Sequence, residues 1–185
     1  MIPYQRHDAK LGVLLVVSIL SIFTIGSAHG GRLPSSFNPR SQPFAPGAED
    51  DIRDAYEDVR NDGTETTWAV FNYPDEGKEI AFKESGDDYS EFLALLHDDM
   101  RAYAYVRVET GDDLSRRAKF AFITWIGRSV RPLKKAKVST DKAFVKQIIT
   151  QFGKEILADE KDELRYERVK TVLEKASGAN YGTGA

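Results

Sequence analysis

The sequence predicts an α/β (α+β) domain: a mixed five-stranded sheet flanked by helices on both faces, in the order αββαββαβα. Three observations lead there. Residues 120–126, Phe-Ala-Phe-Ile-Thr-Trp-Ile, are apolar on both sides of an extended chain, the pattern of an internal strand covered above and below. Ala102, Ala104, Val106 and Val108 alternate with Tyr103, Tyr105 and Arg107, the period-two signature of a neighbouring strand. Apolar residues at helical spacing recur before, between and after the strand segments.

The first helix follows from Ile52, Ala55, Tyr56 and Val59, at i, i+3, i+4 and i+7, and Asn61-Asp62-Gly63 ends it. Residues 66–73 are β-branched and aromatic and form a strand. Pro74 to Gly77 turn the chain, and residues 78–84 return as a second strand whose Lys78, Glu79, Lys83 and Glu84 suit a sheet edge. Asp87 or Asp88 caps a second helix with the stripe Tyr89, Phe92, Leu93 and Leu96. The alternating strand comes next, its two alanines leaving room for a close-packed helix. Gly111-Asp112-Asp113 connects it to the strand that runs to Ile126. Pro132 suits the first turn of a long helix with Phe144, Val145, Ile148, Ile149 and Phe152 inward. Ser139-Thr140-Asp141 bends or re-caps this helix, and Gly153 stops it. Residues 154–158 make a short last strand. Tyr166, Val169, Leu173 and Ala176 line a final helix closed by Gly178.

The folded domain is thus expected over residues 49–181, with 182–185 as a tail. Residues 1–28 have a different character. Arg6 and Lys10 precede fifteen uncharged residues, 11–25, and Gly26-Ser27-Ala28 supplies small residues at an exit site. That is the layout of a secretory signal peptide, and it is marginal in length for a spanning helix. Residues 29–48 carry Pro34, Pro39, Pro43 and Pro46 and read as an extended linker outside the fold.

Composition removes several function classes. The 185 residues include no cysteine, so disulfides, thiolate metal sites and cysteine nucleophiles are excluded. His7, His29 and His97 are too scattered for a metal cluster or a triad, and no Walker loop or dinucleotide fingerprint appears. Asp87-Asp88, Asp98-Asp99 and Asp112-Asp113 fall at turns and read as caps. Trp125 belongs to the core, leaving no base-stacking platform for nucleic acid. Lys161-Asp-Glu-Leu164 spells a retention signal but lies within a helical segment, away from the terminus that such a signal requires. No cofactor or metal site is expected.

Charge is sorted along the chain. Residues 51–115 hold 18 acidic and six basic side chains, whereas residues 116–146 hold ten basic and one acidic. Arg116, Arg117, Lys119, Arg131, Lys134, Lys135, Lys137 and Lys142 are the candidate binding residues of one rigid basic face for an acidic partner. A solvated helix edge is the plainer alternative for part of this run.

Six stretches together resemble the coactosins: Asp58-Val-Arg-Asn-Asp-Gly63, Thr67-Trp-Ala-Val-Phe71, Thr110-Gly-Asp112, Ser115-Arg-Arg-Ala-Lys-Phe-Ala-Phe-Ile-Thr-Trp-Ile-Gly127, Ala136-Lys-Val-Ser-Thr-Asp-Lys142 and Gly178-Ala-Asn-Tyr181. Coactosins are small members of the actin-depolymerising factor homology superfamily. The resemblance covers residues 50–181 and implies the same mixed sheet, no enzymatic activity and binding to the side of actin filaments (F-actin). It implies that Lys119, the lysine of the family's Ser-Lys/Arg-Arg-x-Lys-Phe motif, contacts the filament. It further implies that Arg131, Lys134, Lys135, Lys137 and Lys142 lie on the actin-facing helix, and that the protein is a monomer of the cytoplasm and cytoskeleton. The departure is the amino terminus, which leaves open a signal or anchor, a lineage-specific extension or a misplaced start. An anionic membrane lipid is the alternative partner for the same basic face.

Overall fold

A computed structural model describes residues 43–74, 77–112 and 114–176. The apolar segment 11–25, the linker as far as residue 42, Gly178 and the tail lie outside the described residues. The described elements are α1 (Ala48–Arg60), β1 (Trp68–Asn72), β2 (Ala81–Gly86), α2 (Tyr89–Leu95), β3 (Arg101–Thr110), β4 (Arg117–Ile126), α3 (Pro132–Ile148), β5 (Lys154–Ala158), a 3-10 turn (Lys161–Leu164) and α4 (Tyr166–Ala176). The sheet order is β2-β1-β3-β4-β5, antiparallel except for the parallel β4–β5 pair. The sheet is therefore mixed and five-stranded, as the sequence predicts. β2 is an edge strand, and β4 is internal, paired with β3 on one side and β5 on the other, while β3 holds the middle position.

Strand alternation divides the core in two. Tyr103, Tyr105 and Phe122 face Ile52, Tyr56, Val59, Val138 and Val145 from α1 and α3. Ala102, Ala104, Val106, Ala121, Ile123 and Trp125 face Phe92, Val169 and Leu173 from α2 and α4. Phe122 and Ile123 are both 0% exposed. Tyr103 stacks on Phe122 and Tyr105 on Phe120 across the β3–β4 ladder, at centroid distances of 5.9 and 5.3 Å.

Turn chemistry holds the strand ends. Asp88 caps α2 through Ser90 N at 2.7 Å, and Asp112 Oδ1 accepts from Leu114 N and Ser115 Oγ in the β3–β4 hairpin. These hydrogen bonds hold both carboxyls below the usual aspartate range. Gly127 allows a close crossing: a Cβ there would lie 2.3 Å from Asp98 O, where Ser129 N also bonds at 2.8 Å.

Five expectations are corrected. Residues 43–48 belong to the fold: Ile80 N donates to Pro43 O at 2.6 Å, Ala45 N donates to Ile80 O at 2.9 Å, and Phe44 packs on the α1–α3 core. A proline-bearing segment still pairs here, because only Ala45 N and the Pro43 carbonyl are needed. That bridge takes Ile80, and β2 proper begins at Ala81, later than the expected 78–84, with a bulge opposite Val70 and Phe71. α3 runs unbroken through Ser139–Asp141 because Asp141 turns inward and is 4% exposed. It ends at Ile148, with Ile149 as its C-cap, well before Gly153. Lys161–Leu164 is a 3-10 turn, not part of the final helix.

Candidate functional site

The expected basic face is built from two elements on opposite sides of the sheet. β4 alternates without a bulge over its ladder with β3, so Arg117 and Lys119 share the side of Ala121, Ile123 and Trp125, which α4 covers. Helix α3 packs on the other side through Val138, Val145 and Ile148. The two groups also lie at different ends. Lys119 pairs with Val108 near the hairpin, whereas Arg101 pairs with Ile126 and donates to Lys134 O at 3.3 Å. Seven strand residues separate these levels, roughly 23 Å at about 3.3 Å per residue. The one rigid basic face expected from the sequence is thus corrected to two clusters.

The first cluster occupies the open end of β4. Arg116 and Arg117 are exposed and Lys119 is half-buried. Thr110 Oγ1 donates to Arg117 O at 3.1 Å, and Arg116 lies 3.5 Å from Glu109 Oε2. Leu114, 99% exposed, tops the hairpin. These charges sit where a fully buried strand emerges from the core, so their backbone is rigid while their heads reach water.

The second cluster is α3, where the charges differ in availability. Arg131 is the exposed N-cap residue before Pro132. Lys134 and Lys135 are half-buried on the first turn. Lys137 Nζ is 2.7 Å from the buried Asp141, and Lys142 shares Glu155 with Lys146 at 2.5 and 2.8 Å. The outward ridge of α3 is uncharged: Pro132, Leu133, Ala136, Ser139, Thr140, Ala143 and Gln147 are its exposed residues. Its lysines flank that ridge. Burial raises the Glu155 pKa, but the hydrogen bonds and charges of Lys142 and Lys146 prevail and hold it below the usual range.

Three groups that matter here escape a reading of the basic run. Asp141 accepts from Tyr73 OH at 2.9 Å, and Tyr73 OH lies 3.1 Å from Tyr103 OH, which donates to Val138 O at 2.6 Å. This network ties the middle of α3 to β3 and to the end of β1, and burial pushes both tyrosines well above the ordinary phenol value. Arg101, 6% exposed, stacks 3.8 Å from the Tyr73 ring centroid and donates to Gly77 O at 2.5 Å. Arg107 donates to Asn61 O and Thr64 O at 2.9 and 2.8 Å, pinning the α1–β1 loop beside the hairpin. Asp141 had a signal: it shares the helical stripe of Val138, Val145 and Ile148. Among the described residues no group of three His, Cys, Asp or Glu side chains is arranged to hold a metal, and no helix is long and apolar enough to cross a membrane.

The chain as a whole has known relatives. The family model described as cofilin/tropomyosin-type actin-binding protein matches residues 47–174. Human coactosin-like protein is 44% identical over 129 residues, covering 70% of this chain and 89% of that protein. Coactosin of Dictyostelium discoideum is 39% identical over 132 residues, covering 71% and 90%. The crystal structure of human coactosin-like protein superposes with a TM-score of 0.65 at 41% identity, over 69% of this chain and 95% of that one. The solution structure of mouse coactosin, described as an actin filament binding protein, gives 0.61 at 42% identity, over 72% and 92%.

Proposed function

We propose, for a chain that belongs to the coactosins within the cofilin/tropomyosin-type actin-binding family, that it binds the side of actin filaments without enzymatic activity and works in the cytoplasmic cytoskeleton. The observation that carries this reading is the open end of β4. There Arg116, Arg117 and Lys119 project from a strand whose continuation is fully buried, in a fold shared with a relative described as filament-binding. Rigid anchoring matters because a charge on a fixed backbone loses little freedom on docking. The mechanism is electrostatic attraction of an acidic filament surface, with no bond made or broken.

Of the two clusters, the β4 end is the principal contact. Lys137 and Lys142 are engaged with Asp141 and Glu155, so they act mainly by holding α3 in place. Arg131, Lys134 and Lys135, beside the exposed Leu133, supply a secondary contact on the other side of the sheet.

Co-sedimentation with actin filaments, run beside flotation on vesicles of anionic phospholipid, tests the reading with residues 43–185. The reading expects sedimentation that declines with ionic strength and no flotation. Flotation without sedimentation would reassign the basic residues to a membrane surface.

A further inference from the structure

A cavity of about 210 Å³ opens at the end of the sheet remote from the β3–β4 hairpin, where β1 ends and β3 begins. Lys83 of β2, His97 and Asp99 of the loop before β3, Arg101 of β3 and Lys134 of α3 line it beside Tyr73. Among these described residues Asp99 is the single carboxylate, and it makes no ion pair with Lys83, His97 or Arg101.

Arg101 sets this cavity apart. It is 6% exposed, yet what holds its guanidinium is neutral: Gly77 O at 2.5 Å, Lys134 O at 3.3 Å and the Tyr73 ring centroid at 3.8 Å. A surface arginine meets its charge with water. This one has little water and, among the described residues, no carboxylate in ion-pair reach. Burying a cation without an opposite charge is costly, and a guanidinium cannot shed its proton to escape. The two carbonyls engage only part of its fork of N–H donors, which leaves the rest for an anion in the cavity. Lys83 is exposed, makes no hydrogen bond or ion pair with a described residue, and adds to the same field.

We propose that this cavity binds a small soluble phosphomonoester, its phosphate seated against Arg101 and its outer oxygens met by Lys83 and His97. A phosphate suits the site better than a carboxylate. Its charge of about −2 answers more than one cation, and its oxygens accept from donors that converge from separate elements. None of the exposed large apolar side chains, Phe82, Leu114, Leu133 and Leu157, lines the cavity, so nothing there inserts into a bilayer and a soluble source is favoured over a lipid headgroup. The site goes beyond the filament reading and does not rest on it, since Arg117 and Lys119 lie toward the other end of the β3–β4 ladder from Arg101.

The test follows amide chemical shifts of the full chain during titration with glycerol 3-phosphate, against sodium chloride at matched ionic strength. Saturable shifts are expected at Lys83, His97 and Arg101, with a melting temperature that rises with the phosphate and not with chloride. Lys83→Ala, at an exposed position, is expected to weaken phosphate binding about two- to five-fold and to leave filament co-sedimentation unchanged. Arg101→Gln is expected to weaken it about ten-fold or more. Should that variant fail to fold, Lys83→Ala and His97→Ala decide the matter. Shifts that chloride reproduces, or phosphate binding by Lys83→Ala and His97→Ala equal to wild type, overturn the proposal. So does a Lys83→Ala variant that loses sedimentation along with phosphate binding, which would assign the cavity to the filament surface. Flotation on phosphatidic acid vesicles with no response to glycerol 3-phosphate overturns the soluble source.

Discussion

At the scale of single residues, burial decides what a substitution does. Phe122 is fully buried between the Tyr103 ring and the α1–α3 core, so Phe122→Ala leaves a cavity in a close-packed site. The expected cost is about 3–5 kcal/mol, readable as a lower urea midpoint with an unchanged slope. Asp141→Ala removes the acceptor of Tyr73 OH and the partner of Lys137 together, and is expected to cost about 1–3 kcal/mol. Tyr73→Phe removes only one hydroxyl and is expected to cost less. Equal losses from both variants would mean that Lys137 contributes nothing. Phe122 was legible in the sequence because a strand apolar on both faces has one explanation. The role of Asp141 was not, because a polar residue inside a basic helix reads as solvent-facing until the stripe it shares is followed to the core.

At the scale of elements, α3 is held at two points, by Asp141 toward the β1–β3 side and by Glu155 of β5 toward the other. The Glu155 carboxyl is depressed in the folded protein, so its contribution is present above the unfolded value, near 4.5, and is lost as pH falls through the lower folded value. Glu155→Gln is therefore expected to be less stable than wild type at neutral pH and to approach it near pH 3, in thermal melts taken across that range. A constant gap down to pH 3 would show that Lys142 and Lys146 do not draw their hold from this charge. Element order, the edge position of β2 and the internal position of β4 could be read from periodicity, because alternation and helical stripes report burial directly. The split of the basic run could not. Charge counted along the chain carries no information on which side of a sheet a helix returns to, and the crossover from β4 through α3 to β5 places Lys134 and Lys119 on opposite faces.

For the whole molecule, the described fold reaches back to residue 43, ahead of α1. Deleting residues 1–42 is expected to leave the melting temperature unchanged. Deleting 1–48 removes the Pro43–Ala45 pairing with Ile80 and the packing of Phe44, at an expected cost of roughly 1–3 kcal/mol. Identical melting of the two truncations would return residues 43–48 to the linker. The boundary was misplaced in the sequence because prolines mask a strand-like pairing that needs only one backbone donor. The central claim is that a rigid basic end of β4 docks on the filament, and the most direct measurement is co-sedimentation of Lys119→Ala beside wild type at several ionic strengths. The account predicts an affinity about five-fold or more below wild type at low salt, convergence as salt screens the attraction, and an unchanged melting temperature. Undiminished sedimentation by a correctly folded Lys119→Ala, at every ionic strength, would contradict it.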